Sequence, residues 1–373
     1  MVRVGAAPLK ELVVDIFVAE GSSRDEATRI AASLVGANLA GHDSHGVARV
    51  PRYVHWKRDG VVHANQTPEV VVDTPVLAVV DGKHGFGQTV APVAVELGIR
   101  KCKAMGLAAV ALRNAGHLGR IGDWGEMAAA AGLVSVHFVN VAGSVLVAPF
   151  GGVERRFSTA PVCIGVPRPG EEPIILDFAT ALVAEGKVLV ASQGGKKIPD
   201  DALIGLDGKR SGDPRLLYGD FNKADRRDNQ AGSGAIRAFG EHKGSGLAFM
   251  CELLGGALTG NGTTRFDRRW SSGMLSFYID PQKLDAVDFF RAEVADCIDF
   301  IKSAKPEQVD GEVLIPGEPE TRMRAERQAH GIPLPDDTWA GLVASAREAG
   351  IDEGRIQNLA SPDSIGLRGS ASA

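Results

Sequence analysis

The sequence predicts a mixed α/β (α+β) fold, and three observations lead to that prediction. Apolar residues repeat at helical spacing over residues 8–40. Two strand-like runs, residues 76–82 and 108–112, flank a helix expected at 91–105. No G-x-G-x-x-G lies between a strand and a helix with an acidic residue about 20 positions later, so the usual doubly wound dinucleotide-binding sheet is not predicted.

The composition is typical of a soluble globular protein and excludes several classes of partner. Of 373 residues, 44% are hydrophobic and 23% are charged. The net charge of −5 comes without a basic block, so a nucleic-acid partner is not expected. No apolar run reaches the ~18 residues that a membrane span needs, and the N-terminus lacks an apolar leader core, so a cytoplasmic location is expected. Four widely spaced cysteines predict reduced thiols.

Residues 8–40 are expected to form a helical hairpin. The first helix begins at Pro8, a residue that a first helical turn tolerates well. The second begins after Ser23, whose hydroxyl is a suitable cap, and Glu26 occupies the capping-box position. This helix runs toward Ala40, and Gly41 is expected to end it.

The hairpin leads into the stretch richest in chemically active groups, GHDSHGVARVPRY at residues 41–53. His45 can take up and return a proton near neutral pH. Arg49 offers a planar fork that binds a carboxylate through two hydrogen bonds. A base beside an anion clamp suits proton and hydride chemistry on a small carboxylic acid. A capped helix end with a solvated polar turn is the alternative, since short polar clusters recur by chance.

Two further histidines are predicted to behave differently. His117 follows the strand at 108–112 and precedes a helix expected at 123–131. Strand-to-helix turns often carry functional groups, although a loop histidine bonded to a nearby carbonyl is the alternative. His137 falls within an alternating strand at 133–140 and is expected to pack inside it.

Two later stretches suit a phosphate or a sugar. Asp177 ends a strand, where a carboxylate suits ribose hydroxyls, and Thr180 precedes a helix expected at 183–191, where a hydroxyl suits phosphate. Both could instead simply cap that helix. Lys243 lies at the Gly-rich start of an apolar helix, a position that favours an anion. A solvated lysine in a flexible turn is the alternative.

The chain is predicted to divide into three parts. Residues 1–75 form a helical domain that carries His45 and is joined by C-terminal helices within 286–373. Residues 76–191 and 241–285 form a sheet domain. Residues 192–240, rich in Gly and charged residues, are predicted to be an excursion, either a lid or a dimer arm. Further strands are expected at 162–166, 174–177 and 274–281, and further helices at 287–304, 321–328 and 339–349.

Five motifs occur in the order and approximate spacing of one known family. They are GHDSHGV at 41–47, GHLGRIG at 116–122, DFAT at 177–180, HKG at 242–244 and PGE at 316–318. On these motifs the chain resembles the type-2 malate/L-lactate dehydrogenases, whose relatives include ureidoglycolate, sulfolactate and diketogulonate dehydrogenases and a cyclic-imine reductase. The likeness extends over residues 8–350, and the combination of motifs is specific.

The resemblance implies a fold and an activity. The fold would be a non-Rossmann nicotinamide-binding fold with a largely antiparallel central sheet, flanked by helical domains, in a homodimer. The activity would interconvert a small 2-hydroxycarboxylate, malate-like or lactate-like, and its 2-oxo acid by hydride transfer. The cofactor would be NAD or NADP.

The resemblance also implies roles for individual residues. His45 and His117 each match a histidine that has been given the acid/base role, so both are carried as catalytic candidates. Arg49 matches the arginine that holds the substrate carboxylate, with Ser44 nearby. The residues that match cofactor contacts are Asp177, Thr180, Lys243, Gly317 and Glu318.

Two departures from the family pattern bear on these roles. The family usually has Thr-Asn-Pro where this chain has Thr159, Ala160 and Pro161, so any contact by that asparagine is lost. The motifs most resemble the branch of hydroxycarboxylate dehydrogenases, which lacks arginines matching Arg49 and Arg52. Substrate choice is therefore expected to differ from that branch.

Three other functions stay open at this point. The first is a nicotinamide-dependent reductase of cyclic imine carboxylates. The second is a zinc site built from His42, Asp43 and His45, although this spacing in a turn is poor ligand geometry and H-E-x-x-H is absent, so no metal is predicted. The third is a non-catalytic binding protein that keeps the fold.

Overall fold

The computed structural model describes residues 1–192, 196–221, 228–284 and 287–359. The C-terminal end of the predicted helical domain, after residue 359, lies outside these ranges. The helices are α1 (Ala6–Ala19), α2 (Arg24–Leu39), α3 (Val50–Arg58), α4 (Gly87–Met105), α5 (Gly122–Ala130), α6 (Glu185–Ser192), α7 (Arg215–Tyr218), α8 (His242–Cys251), α9 (Val287–Lys302), α10 (Glu318–His330), α11 (Asp336–Glu348) and α12 (Glu353–Leu359). A π-helical segment, Glu252–Ala257, continues α8. No helix within the described ranges is both long and apolar enough to cross a membrane.

The strands form one large and two small sheets. They are β1 (Val2–Val4), β2 (Glu69–Asp73), β3 (Leu77–Gly85), β4 (Leu107–Ala115), β5 (Val134–Ala142), β6 (Val147–Ala148), β7 (Pro161–Val166), β8 (Ile174–Ala179), β9 (Leu203–Ile204), β10 (Arg210–Ser211), β11 (Ala235–Arg237), β12 (Ser271–Ile279) and β13 (Ile332–Leu334).

The main sheet has seven strands in the order β2-β3-β4-β12-β5-β7-β8. Only the β3–β4 pair is parallel, and the other five pairings are antiparallel. The mixed α/β fold predicted from the sequence is confirmed. Because β12 runs antiparallel between β4 and β5, its first residues lie beside the last residues of those two strands. That edge of the sheet forms one wall of the cleft described below.

Both ends of the chain contribute to one helical core. Strand β1 pairs with β13, and buried apolar side chains of α1, α2, α11 and α12 pack together. The predicted domain boundaries stay a prediction.

Residues 203–237, within the predicted excursion, contribute β9, β10 and β11, which join β6 in a small four-stranded sheet. Leu217, Tyr218 and Ile236 are buried beneath it, so this part of the excursion has a packed core of its own. Its role as a lid or a dimer arm stays a prediction.

The start of α2 confirms one half of the predicted capping box. The Ser23 hydroxyl accepts the Glu26 backbone N–H at 3.2 Å. The Glu26 carboxylate does not return to Ser23, because it is buried and accepts the Asn65 N–H at 2.8 Å and the Thr89 hydroxyl at 3.0 Å. A tertiary contact therefore replaces the local one. Residues 56–75, for which no element was predicted, include the end of α3 and strand β2.

The turn after α2 is held in place by buried and partly buried polar contacts. Residues 43–49, here called the His45 turn, form two short 3₁₀ helices. Asp43 binds Arg327 of α10 through both carboxylate oxygens, at 2.6 and 3.0 Å, and accepts the Asn38 amide at 2.6 Å. The Asn38 side chain also accepts the Val47 N–H at 2.8 Å. A Cβ at Gly46 would lie 2.2 Å from Asn38 Oδ1, so this close approach requires glycine.

Arg327→Ala is expected to lower the free energy of unfolding by about 2–3 kcal/mol, because two hydrogen bonds to a charged partner are lost near the core. Urea denaturation with a fitted m value measures this loss. The control is Arg322→Ala on the same helix, which breaks an exposed pair with Glu312 and should cost below about 1 kcal/mol. Equal losses in the two variants would contradict the structural role of Arg327.

Candidate active site

A cleft of about 580 Å³ lies where the His45 turn and α3 face the edge of the main sheet. One wall comes from the turn and α3, and the other comes from the loop after β4, from β5 and from the start of β12. Its lining includes His45, Arg49, Arg52, Trp56, His117, Ile121, Val139, Val141, Leu146, Thr159, Pro161, Glu185, Asp228, Asn229, Trp270 and Ser272. The structure thus brings together His45, His117 and Arg49, three of the four catalytic candidates.

The two imidazoles form a stacked pair at the centre of the cleft. The ring centroids of His45 and His117 are 5.4 Å apart, with planes inclined by 23°. Ser44, the fourth candidate, lies behind them: its hydroxyl is 3.1 Å from His45 Nδ1. Two histidines from distant parts of the chain therefore share one cavity.

Hydrogen bonds define the tautomer of His117. Its Nδ1 accepts the Gly119 backbone N–H at 3.2 Å, so in the neutral ring the proton is on Nε2. The Tyr53 hydroxyl, 2.6 Å from Nδ1, must then donate to it. Gln88 Nε2 donates in turn to the Tyr53 oxygen at 3.1 Å. Nε2–H has no partner among the described residues and is available to a ligand in the cleft.

Both imidazoles are neutral at pH 7. Burial and then the charge of Arg49 lower the pKa of His45 to about 3. The same two causes hold the pKa of His117 well below its usual range. Each ring can therefore donate from one nitrogen and accept at the other.

The guanidiniums of Arg49 and Arg52 surround a buried carboxylate, Glu185. Arg49 Nε donates to the Ser44 carbonyl at 2.6 Å, and its Nη2 lies 3.5 Å from Glu185. Both terminal nitrogens of Arg52 lie 3.3–3.4 Å from the same carboxylate. Burial raises the pKa of Glu185, but Arg52 and Arg49 outweigh it and lower that pKa to about 2. Glu185 is ionised, and α6 brings it here because Gly186 lets that helix contact Ser44 directly.

Aromatic rings close one side of the cleft. The Trp56 and Trp270 ring centroids lie 4.3 Å apart, and the Arg52 guanidinium lies 6.0 Å from the Trp56 ring centroid. Neither tryptophan, nor Tyr53, Gln88 or Glu185, was among the site residues predicted from the sequence. For α3 a signal existed, since Arg49, Arg52 or Tyr53, and Trp56 recur at helical spacing after the GHDSHGV motif.

Two of the predicted cofactor residues support the cleft walls from behind. The Asp177 carboxylate accepts the Gly122 N–H at 2.7 Å and so caps α5, next to the loop that carries His117. Burial raises the pKa of Asp177. The Thr180 hydroxyl donates to the carbonyls of Thr159 and Ala160, at 3.1 and 2.9 Å. Neither side chain lines the cleft.

The other three predicted cofactor residues lie away from the imidazole pair. Gly317, at a φ of +97°, lines a second cavity of about 470 Å³ beside α5. Glu318 pairs with Lys302 and accepts the Ile315 N–H at 3.1 Å. Lys243 is exposed in the first turn of α8.

His137, His42 and Ala160 lie in three stretches for which the sequence predicted a role or a lost contact. His137 is fully buried in β5 between the hydroxyls of Ser276 and Ser135, at 2.8 and 3.0 Å, as expected for a packed histidine. His42 pairs with Glu320 at 3.1 Å. Across the parts of the chain that the structure describes, no three His, Cys, Asp or Glu side chains are grouped to hold a metal ion. Ala160 has a φ of +37°, a region that asparagine tolerates better than alanine.

Residues 4–343 match the family model described as malate/L-lactate dehydrogenase. The chain belongs to the malate/L-lactate dehydrogenase family. Hydroxycarboxylate dehydrogenase B of Escherichia coli (strain K12) is 38% identical over 361 residues, which cover 95% of this chain and 96% of that protein. This similarity agrees with the branch that the motifs resemble most.

Two solved structures extend the comparison. Sulfolactate dehydrogenase from Methanocaldococcus jannaschii has a TM-score of 0.81 and 31% identity, covering 97% of this chain and 100% of that one. Delta1-piperideine-2-carboxylate reductase from Pseudomonas syringae pvar. tomato has a TM-score of 0.77 and 29% identity, covering 92% and 100%. As a member of this dehydrogenase family, the chain is an oxidoreductase that acts on CH–OH donors, in a family that depends on pyridine nucleotides.

Tyr53→Phe is expected to lower the kcat of this malate/L-lactate dehydrogenase family member about tenfold with little change in KM. The variant removes one hydrogen bond to His117 Nδ1, worth roughly 1–1.5 kcal/mol, while the Gly119 N–H still fixes the ring. Steady-state kinetics with the 2-oxo acid that the wild type reduces fastest measures the change. Tyr278→Phe, in the core of the main sheet, is the matched control. Equal rates for wild type and Tyr53→Phe would contradict this role.

Proposed function

We propose that the protein interconverts a small 2-hydroxycarboxylate and its 2-oxo acid with NAD or NADP in the cleft of the imidazole pair. One observation carries the proposal: His45, His117 and Arg49 line the same cavity. Two neutral imidazoles offer proton exchange, and the guanidinium offers an anion clamp. A small carboxylic acid with an adjacent hydroxyl or carbonyl group matches both.

The cleft fits the pyridine end of such a cofactor. Val139, Val141 and Leu146 give it an apolar wall that suits a flat ring, and the His117 Nε2–H provides a donor beside that wall. When bound, the nicotinamide supplies or accepts the hydride. The protein's contribution is then to orient the substrate and to handle the proton and the charge on its oxygen.

Arg49 is the group proposed to hold the substrate carboxylate. Its Nη1 has no partner within the described ranges, whereas Nε is fixed by the Ser44 carbonyl. A guanidinium anchored at one end presents its free edge in a defined direction. This edge would place the carbon that carries the oxygen next to the imidazoles.

The two histidines are proposed to have different roles in the reaction. His117 Nε2–H donates a hydrogen bond to the substrate oxygen and stabilises the negative charge that develops there during reduction. His45 exchanges the proton: it takes the hydroxyl proton during oxidation and returns it during reduction. A bound carboxylate offsets the charge of Arg49, and this favours protonation of His45 only when substrate is present.

The cofactor contacts expected at Asp177, Thr180, Lys243, Gly317 and Glu318 stay part of the proposal. Two observations support an extended site. Asp177 caps the end of α5 that adjoins the cleft, and Gly317 lies on the second cavity, which is lined by the other end of α5. A cofactor that reaches both cavities would run along this helix.

A homodimer is proposed to form through the exposed face of α8. Four large apolar side chains are exposed there or next to it, by 39–61% of their area: Phe150, Phe249, Met250 and Leu253. Large apolar side chains that are exposed together on one helix are typical of an interaction surface. Because Lys243 lies in the first turn of the same helix, a dimer through this face would bring Lys243 to the interface.

Phe249→Glu is expected to shift the protein from dimer toward monomer, because a charge would be buried at the interface. Sedimentation velocity over a concentration series measures this shift. Leu206→Glu, an equally exposed apolar residue in the small sheet region, is the control and should leave the mass unchanged. A wild type that sediments as a monomer throughout would contradict the proposed dimer.

A panel of substrates tests the function itself. Each 2-oxo acid and each cyclic imine carboxylate is incubated with NADH and with NADPH, and the loss of reduced cofactor is followed by absorbance. We expect turnover of a 2-oxo acid, with a kcat/KM that is lower by about two to four orders of magnitude in the His117→Ala variant. Turnover of cyclic imines alone would favour the reductase function, which the similarity to the piperideine carboxylate reductase supports. If neither class reacts and reduced cofactor does not bind, the chain is a binding protein.

A further inference from the structure

We propose that Glu185 restricts this cleft to substrates with a single anionic group by occupying the second guanidinium, Arg52. The inference rests on the proposed function and adds the substrate class: 2-oxo acids with one carboxylate and an uncharged side chain. Three observations carry it: the charges that line the cleft, the contacts of Glu185, and the edge of the Arg49 guanidinium that is free to bind a ligand.

The charges of the described cleft lining balance. Arg49 and Arg52 contribute two positive charges, while Glu185 and Asp228 contribute two negative ones. The imidazoles are neutral. Within the residues that the structure describes, the cleft lining therefore has no excess of positive charge, which recognition of a dianion requires in a partly desolvated site.

Glu185 is fixed at Arg52. The side chain is only 6% exposed, and it receives both terminal nitrogens of Arg52 at 3.3–3.4 Å. The Tyr218 hydroxyl at 2.9 Å and the Asn229 amide at 3.2 Å donate to its Oε1. A carboxylate that accepts hydrogen bonds from three side chains does not move away easily when a ligand binds. Arg52 therefore stays paired with Glu185 and does not bind the ligand.

Arg49 is left with one free edge, enough for one carboxylate. Its contact with Glu185 is a single one at 3.5 Å, on Nη2. A second anionic group on the ligand would compete with Glu185 for Arg52 or approach the Asp228 carboxylate. An uncharged side chain would instead contact Trp56, Trp270 and the apolar wall of the cleft. Dianionic acids should therefore be poor substrates.

The first experiment compares 2-oxovalerate with 2-oxoglutarate, which share a five-carbon chain and differ by one carboxylate. We expect the wild type to prefer 2-oxovalerate at least tenfold in kcat/KM. Glu185→Gln keeps acceptors for Tyr218 and Asn229 but frees the charge of Arg52, and it should move this ratio at least tenfold toward 2-oxoglutarate. This shift of the kcat/KM ratio toward 2-oxoglutarate should disappear in the Glu185→Gln, Arg52→Gln double variant. Its disappearance would assign the shift to Arg52 and to no other cation.

A binding measurement without turnover repeats the comparison. Calorimetry with reduced cofactor present uses N-ethyloxamate, with one carboxylate, and N-oxalylglycine, with two. The wild type should bind N-ethyloxamate more tightly than N-oxalylglycine, and Glu185→Gln should reduce this difference in affinity. Asp228→Asn is at an exposed position where folding is not at risk. It should shift the kcat/KM ratio and the affinity ratio about threefold toward the ligand with two carboxylates, as Glu185→Gln does. Asp207→Asn, at an exposed position outside the cleft lining, should shift neither ratio.

The outcomes separate this inference from the proposed function. If 2-oxo acids react but the wild type favours the dicarboxylate, or Glu185→Gln leaves the ratio unchanged, the inference is wrong and the function stands. If circular dichroism shows that Glu185→Gln is unfolded, the inference is judged by the effect of Asp228→Asn and by the substrate preference of the wild type. If no 2-oxo acid reacts and neither oxamate binds, the proposed function fails, and the inference falls with it.

Discussion

His117→Ala is expected to lower kcat/KM for the preferred 2-oxo acid by about two to four orders of magnitude, the usual contribution of a positioned imidazole. The reason lies in the fixed tautomer. The Gly119 N–H and the Tyr53 hydroxyl direct His117 Nε2–H toward a ligand, so alanine removes the donor that stabilises the substrate oxygen. Stopped-flow measurement of hydride transfer records the loss at the chemical step.

Two controls accompany this variant. His117→Gln keeps an N–H donor near the position of Nε2 and should recover part of the rate. His330→Ala removes an exposed imidazole at the end of α10 and should leave the rate unchanged. A His117→Ala enzyme within threefold of wild type would remove His117 from the mechanism.

The same imidazoles predict the shape of the pH profile. Since burial and Arg49 lower the pKa of His45 to about 3 and hold the pKa of His117 well below its usual range, both rings are neutral in the free enzyme near pH 6.5. The value of kcat/KM, which reports the free enzyme, should therefore show no imidazole step near pH 6.5. A step there that vanishes in the histidine variants would contradict the electrostatics of the cleft.

Arg49→Gln is expected to lower kcat/KM by about two to three orders of magnitude, chiefly through a higher KM. Loss of one partner of a partly desolvated charge pair costs about 2–5 kcal/mol, which sets the scale. Arg49→Lys keeps the charge but loses the fork and the Nε bond to the Ser44 carbonyl, so it should fall between Arg49→Gln and wild type. Arg24→Gln, exposed at the start of α2, is the control.

Ligand binding tests the same residue without catalysis. N-ethyloxamate should bind Arg49→Gln at least thirtyfold more weakly than wild type by calorimetry, because its carboxylate loses the guanidinium. Unchanged affinity would show that the carboxylate is held elsewhere, while the histidine prediction would stand.

Local sequence predicted most elements of the fold because local physics governs them. Ser23 caps α2 as expected, since a hydroxyl three residues before an orphan N–H needs no tertiary help. The strands at β4, β5 and β12 and the helix at α4 followed from periodicity. Local reasoning failed where a distant partner outcompeted the near one: Glu26 bonds to Asn65 and Thr89 instead of closing the capping box.

The catalytic candidates were recognisable because their chemistry is concentrated in short motifs. GHDSHGV named Ser44 and His45, and GHLGRIG named His117. Glu185, Trp270 and Gln88 carry no such signal, since a lone carboxylate, indole or amide in a helix or loop is common. Each acquires a role only through a neighbour that is far away in the chain.

The sequence alone determined the mixed α/β class, the positions of the main helices and strands, and the family, because these depend on periodicity, caps and contiguous motifs. Tertiary structure decided that His45 and His117 stack 5.4 Å apart, that Tyr53 and Gly119 fix the tautomer of one ring, and that Glu185 occupies Arg52. These contacts depend on β12 inserting between β4 and β5 and on α6 packing against the His45 turn. Such long-range pairings are set by the free energy of the whole packed core, which no single stretch of sequence contains.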